Sequence, residues 1–378
     1  MQQELAAAGG WLSFERFMEL ALYAPGLGYY SAGSVKLGAG GDFVTAPEVS
    51  ELFSRCIARQ CGEVLAHMGG EILELGAGTG RMAEAVLKEL AARNLLPERY
   101  AILEVSADLA ERQRERLMRL PEALRERLVW LERLPQRPVH GVMLANEVAD
   151  ALPCARFRVG AAGIRELGVV LEACSASSGA AAASPIRFTE AETAPGASLG
   201  EACEEVLISL PGPLPGGYTS EVCTRVTPWI GALAGCLARG LLLLCDYGLP
   251  RRHYYHPQRI RGTLRCHYKQ RAHDDPYINL GLQDISAWVD FTRVAEAALA
   301  AGLEVQGFAT QAAFLLGCGI EPLVMQAAEG IARTRLAGEA RRLLMPGEMG
   351  EAFKLMALTR DLDIPLSGFA LQDLRDLL

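Results

Sequence analysis

Four short runs of this chain are apolar nearly end to end: Tyr100 to Glu104, Leu128 to Leu131, Gly141 to Ala145 and Leu241 to Cys245. A strand with one wet face alternates apolar and polar residues, whereas a strand covered on both faces does not. The runs recur at the intervals of alternating β–α units, so they predict a parallel sheet between helix layers. A fifth run, Glu71 to Leu75, enters a glycine-rich turn, and a helical pattern from Met82 to Leu90 follows at once.

Helical spacing marks two segments upstream. Trp11, Phe14, Phe17, Met18 and Leu22 share one face up to Ala24-Pro25-Gly26. Val49, Leu52, Phe53, Cys56, Ile57, Val64 and Leu65 line one face of a long helix, for which Thr45 and Glu48 predict a capping box with Pro47 in the first turn. Between Arg156 and Arg225 the period changes. Ile164 to Leu171, Ile186 to Thr189 and Val206 to Leu210 read as short strands around an Ala/Ser/Gly stretch, Ala173 to Ser184, that can bury little. After Asp290 the helix–strand alternation resumes, ending in a strand from Glu351 to Thr359. The expected architecture is α/β and doubly wound. It has a helical region over 1–66, a core begun at 67–155, a β-rich insertion at 156–225, and the rest of the core over 226–378 with a second insertion at about 250–288.

The turn after the fifth run reads Glu74-Leu-Gly-Ala-Gly-Thr-Gly80. Glycines at 76, 78 and 80 remove Cβ where the backbone must turn tightly and a ligand must lie against it. A dinucleotide fingerprint needs glycine or alanine at position 81, where this chain has Arg81. The G-x-G-x-G spacing with Glu74 ahead of it resembles motif I of class I S-adenosylmethionine-dependent methyltransferases. Glu104 ends the next strand, 24 residues past Gly80, where a carboxylate can accept both ribose hydroxyls.

Composition narrows the choice. The 378 residues carry a formal charge of −8, which disfavours nucleic acid as the main partner because phosphate binding needs a basic face. The ten cysteines show no C-x-x-C pair and no zinc-ligand spacing, so a reducing compartment and no metal are expected. The N-terminus lacks a charged segment followed by an apolar core, and the most apolar run, Trp229 to Leu244, contains Arg239 and is too short to span a bilayer. A cytoplasmic location without a membrane span is the expectation.

Candidate chemistry gathers at the strand ends. Asn146-Glu-Val-Ala-Asp150 places two carboxylates and an amide opposite the cofactor loop, and these are better ligands than core residues. Asp150 reads equally as a cap for the following turn. Asp246-Tyr-Gly248 is either a turn or part of a pocket, and Tyr247 with His273 and Asp274 of the second insertion are weaker candidates for a substrate wall.

Taken in order, Gly41-Asp-Phe-Val-Thr-Ala-Pro-Glu-Val-Ser50, Glu74 to Gly80, Glu104-Val-Ser106, Asn146-Glu147 with Asp150-Ala-Leu-Pro153, Asp246-Tyr-Gly248, Gly262-Thr-Leu264, Gln283-Asp284, Val289-Asp-Phe291, Phe314-Leu315 and Met349-Gly-Glu351 with Phe353-Lys354 resemble the MidA family along nearly the whole chain. The chain departs from it at Val148-Ala149, where the family has aromatics, and at Ser54, where it has glycine. The resemblance implies a seven-stranded, Rossmann-like class I methyltransferase core. It also implies S-adenosyl-L-methionine as cofactor and arginine methylation of a protein, a subunit of the respiratory NADH dehydrogenase. Expected cofactor contacts are Glu74, Gly76, Gly78, Gly80, Glu104, Asn146 and a lid from Asp42 through Thr45 and Pro47. Glu147, with Asn146 and Asp150, is expected to hold the acceptor. A homodimer stays open. So do two other classes: a non-catalytic assembly protein that keeps the cofactor fold, and a nicotinamide-dependent oxidoreductase.

Overall fold

A computed structural model describes residues 1–31, 45–172, 187–326 and 329–378. Asp42 and the Ala173 to Ser184 stretch therefore lie outside the described residues. The chain forms two compact units. One, the core unit, holds 45–150, 226–250 and the described residues from Trp288 onward. The other, the insertion unit, gathers the N-terminal helices with Ala151–Arg225 and Arg251–Ala287. The N-terminal helix and the second insertion thus join the first insertion, where the sequence suggested separate regions.

Seven of the core sheet's eight strands among the described residues are β1 (Glu71–Leu75), β2 (Tyr100–Leu103), β3 (Leu128–Leu131), β4 (Val139–Asn146), β5 (Leu237–Leu249), β6 (Glu304–Thr310) and β7 (Phe353–Arg360). Their spatial order is β6-β7-β5-β4-β1-β2-β3, and Val289–Asp290 also pairs with β5. The β1, β2, β3, β4 and β5 neighbours are parallel, while β7 runs antiparallel between β5 and β6. The chain order reverses between β1 and β4, and in such open sheets ligands bind at the carboxyl ends beside that switch point.

The predicted strands are shorter than the observed ones at β4 and β5, because the latter continue past their apolar stretches into the site. Helices α1 (Ala46–Val49), α2 (Glu51–Met68), α3 (Arg81–Ala92) and α4 (Ala107–Leu117) complete the first half of this core. Between α1 and α2 the backbone extends at Ser50, whose Oγ caps α2 by accepting from Leu52 N at 3.2 Å. Phe53, Ile57, Val64, Val86, Leu87, Ile72 and Val142 are wholly or nearly buried between helices and sheet.

The insertion unit is antiparallel. Gly163–Leu171 is its central strand, with Leu12–Ser13, Ala155–Gly160 and Phe188–Thr193 on it and Thr219–Val222 beyond. Arg265–Tyr268 lies between Arg271–His273 and Asp284–Ser286 in a second small sheet. The expected strand at Val206 to Leu210 is instead part of a helix, Ala197–Ser209. Leu199, Ala202, Cys203 and Val206 are its buried residues, spaced for one helical face, so the longer period overrode the short β-branched run. No helix among the described residues is long and apolar enough to cross a membrane.

Candidate cofactor and methyl-acceptor site

The glycine loop leaves β1 through Gly76, whose N–H donates to Leu103 O at 2.9 Å and so ties the loop to β2. Gly76, Gly78 and Gly80 all have left-handed backbones, with φ of 64°, 54° and 79°. An L side chain there costs about 1–2 kcal/mol per residue, which is the physical reason for glycine at these three positions.

Gln113, on α4, is the bracket of this region. Its Nε2 donates to Gly78 O and to Glu104 Oε2, both at 2.9 Å, and its Oε1 accepts from Trp130 Nε1 at 3.2 Å. The Ser106 N–H adds a 2.9 Å bond to Glu104 Oε1. The strand-end carboxylate is therefore held in one orientation beside the loop. Glu74 lies elsewhere. It is 1% exposed, with Oε2 accepting from Tyr100 Oη at 2.6 Å inside the sheet layer. Burial, with the charge of Glu104 adding to it, pushes the Glu74 carboxyl up to about 7 against the opposing effect of the Tyr100 hydroxyl.

α1 joins the loop to the fourth strand's end. The Glu48 carboxylate takes a 2.5 Å bond from Thr79 Oγ1 and lies 3.3 Å from Arg81 Nη1. The expected capping box does not form: Thr45 is the N-cap residue, its side chain makes no cap bond, and Glu48 is engaged by the glycine loop. Pro47 is buried in α1's first turn. At the other side of α1, Ala46 N donates to Glu147 Oε1 at 3.4 Å, as does Asn146 Nδ2 at 3.3 Å.

The Asn146 to Asp150 segment turns sharply. Glu147 is left-handed, φ 53°, and its N–H donates to Cys245 O at 2.8 Å. Asp246, the next residue of β5, is 2% exposed. Its Oδ2 accepts from Ala149 N at 3.0 Å and Asp150 N at 3.2 Å, and its Oδ1 from Tyr247 N at 2.9 Å. Burial, then the nearby charges of Asp150 and Glu147, hold the Asp246 carboxyl well above the usual carboxylate range. Tyr247 packs edge-on against Phe353 at 4.9 Å.

His273 and Asp274 belong to the insertion unit. Asp274 is ion-paired with Arg265 on the exposed hairpin, and His273 Nδ1 accepts from Asp275 N at 3.3 Å. Asp274 is thus a solvated hairpin residue, whereas His273 is half-buried, with its Nε2 buried and without a hydrogen-bond partner among the described residues. Sequence reasoning missed Gln113, one amide in a helix otherwise rich in charge, and took Glu48 for a self-contained cap. Neither carries a local signal, because each acts on a residue more than thirty positions away.

An adenosine-bearing cofactor fits these residues. The loop is free of Cβ at its three turning points, an oriented carboxylate stands at the next strand's end, and Asn146 Oδ1 is buried with no hydrogen-bond partner among the described residues. The profile of a family described by S-adenosyl-L-methionine-dependent methyltransferase activity matches residues 56–309. The chain belongs to the MidA-like family of these methyltransferases.

A COG1565 superfamily protein from Burkholderia thailandensis, solved with S-adenosyl-homocysteine bound, is 39% identical with a TM-score of 0.91, covering 100% of this chain and 95% of its own. A second structure of that superfamily from the same organism is 38% identical with a TM-score of 0.88, covering 100% and 94%. A Drosophila melanogaster protein named as a mitochondrial protein arginine methyltransferase, NDUFAF7 homolog, is 29% identical over 92% of this chain and 82% of its own length. Its Mus musculus counterpart is 27% identical over 92% and 81%. This MidA-like chain is thus an S-adenosylmethionine-dependent methyltransferase with a class I core.

Proposed function

We propose that the methyl acceptor is an arginine guanidinium on another protein. One observation carries the reading: Glu147 and Asp150 lie on one turn at the carboxyl end of β4, held by Asp246 of the neighbouring strand β5. A guanidinium is planar, always charged and carries five donors, so a cluster of carboxylates suits it better than it suits a neutral amine or hydroxyl. The names of the more distant relatives point the same way.

When bound, S-adenosylmethionine supplies an electrophilic methyl group on a positively charged sulfur and departs as S-adenosylhomocysteine. The chain's own residues do the rest. Glu104 and the glycine loop fix the cofactor's place. Glu147 accepts from one guanidinium N–H and so turns a nitrogen toward the methyl group, which is worth much of the acceleration in a displacement whose angle must be near linear. As the N–C bond forms, positive charge builds on that nitrogen, and the carboxylate draws its proton away. Asp150 and Asn146 flank the acceptor.

Labelled cofactor mixed with a cell extract, followed by mass spectrometry of the labelled protein, tests the reading. Methylarginine is expected, and a respiratory NADH dehydrogenase subunit is the first candidate acceptor. Label on lysine or on a carboxylate only would remove the arginine assignment. Glu147→Gln keeps the side chain's shape without its charge, so it should bind S-adenosylhomocysteine within about twofold of wild type and lose 100-fold or more in rate, as removal of a positioned proton acceptor does.

A further inference from the structure

We infer that Asp246 is the positioning residue of the acceptor site: it holds Glu147 in its working orientation by clamping the loop that follows it. The inference rests on the methyl-acceptor reading above and adds a residue that touches neither acceptor nor cofactor.

Glu147 is a non-glycine residue in the left-handed region, at a φ of 53°. Strain of that kind, on the order of 1–3 kcal/mol, persists only where surrounding structure over-determines it. Two features of β5 do so. Cys245 O takes the Glu147 N–H at 2.8 Å, which fixes the residue's entry. Asp246 Oδ2 takes the N–H groups of Ala149 and Asp150, at 3.0 and 3.2 Å, which fixes its exit. The remaining oxygen is bound by the N–H of Tyr247, so the carboxylate itself is locked to its own strand. Ala149 and Asp150 are both buried, and so is Asp246. A clamp made inside the protein is stiffer than one shared with water.

A neutral amide or hydroxyl would make weaker bonds, and only an acceptor with two free oxygens takes all three donors. Burying a carboxylate beside two others is costly, and a turn needs no such arrangement merely to fold. Among the described residues, the charges that act on Asp246 are Asp150 and Glu147 on the clamped loop, and Lys354 is its register partner on β7. Asp290 lies one strand away, opposite Leu249, and Cys245 precedes Asp246 on its own strand. Two acids therefore act on Asp246, and Asp246 acts on them in return.

Asp246→Asn leaves one oxygen for three donors and puts an amide N–H where the second oxygen stood. Three readouts are expected. Hydrogen exchange at the amides of Ala149 and Asp150, slow in wild type, should accelerate at least tenfold. Label transfer to the extract proteins should fall by at least tenfold while S-adenosylhomocysteine affinity stays within about threefold. The loss should fall on the rate at saturating cofactor and not on the cofactor concentration that gives half of it, because the variant leaves the glycine loop and Glu104 in place.

Unprotected Ala149 and Asp150 amides in wild type would overturn the clamp, and so would unchanged exchange in the variant. A loss that appears only as a raised cofactor requirement, with the saturated rate unchanged, would reduce Asp246 to a fold-holding residue and likewise overturn the proposal. If wild type transfers no label at all, the methyl-acceptor reading fails, and slow wild-type amides alone then show a clamp without a site. Should circular dichroism find Asp246→Asn unfolded, Asp246→Glu, which keeps the charge and lengthens the reach, is put through the same three measurements and must loosen the same two amides.

Discussion

Glu74 couples the core's stability to pH. Its carboxyl is fully buried on the Tyr100 hydroxyl, and its pKa rises from 4.5 to about 7. The folded state thus binds a proton more tightly than the unfolded chain. The stabilisation is complete below about pH 4.5 and is lost as pH climbs through about 7, a change on the order of 3 kcal/mol. Glu74→Gln keeps an acceptor for Tyr100 without the charge. Its melting temperature should exceed that of wild type at pH 8 and match it near pH 4.5, and parallel curves for the two proteins would contradict this account. Gln113→Ala should weaken S-adenosylhomocysteine binding by about tenfold in calorimetry, since it frees both Gly78 and Glu104 and the loss of hydrogen bonds to a charged group is worth about 1.5 kcal/mol or more. The three loop glycines were legible because a left-handed backbone leaves its mark in composition. Gln113 was not, because its partners lie 35 and 9 residues away and a single Gln in a charged helix has no period.

At the scale of elements, α1 is the piece whose role its own sequence misstates. Thr45 and Glu48 have the spacing of a reciprocal cap, yet Glu48 is held by Thr79 and Arg81 while Ala46 reaches Glu147. This short helix therefore links the glycine loop to Glu147. Glu48→Ala should leave the far-ultraviolet circular dichroism unchanged and weaken S-adenosylhomocysteine binding by about fivefold to tenfold, in keeping with one lost charge-assisted bond. Retained affinity would mean that α1 and the loop hold their places without the carboxylate. The core strands were readable because burial on both faces writes an unbroken apolar run. The helix Ala197–Ser209 was misread at its end because Val206 to Leu210, taken alone, satisfies either period. Only the full spacing from Leu199 to Val206 separates the two.

At the scale of the whole molecule, every group that builds the described site comes from the core unit: the loop at 76–80, Glu104 and Gln113, α1, the turn at 146–150 and Asp246. The insertion unit has its own buried anchor. The Arg156 guanidinium lies 5.1 Å from the Phe14 ring centre and 2.8 Å from Glu190, with Glu221 at 3.8 Å. That division predicts where the cofactor's binding energy goes. S-adenosylhomocysteine at a hundred times its Kd stabilises whatever unfolds with the site by about 2.7 kcal/mol, provided the unfolded chain does not bind it. Hydrogen exchange with and without it should therefore slow at residues 76–80, 104–113 and 146–150, and through the buried β1 and β4. Amides of Ala155–Gly160, Gly163–Leu171 and Thr219–Val222 should exchange at unchanged rates. Protection in those three strands of the same size as in β1 would mean that the cofactor's site draws on the insertion unit as well.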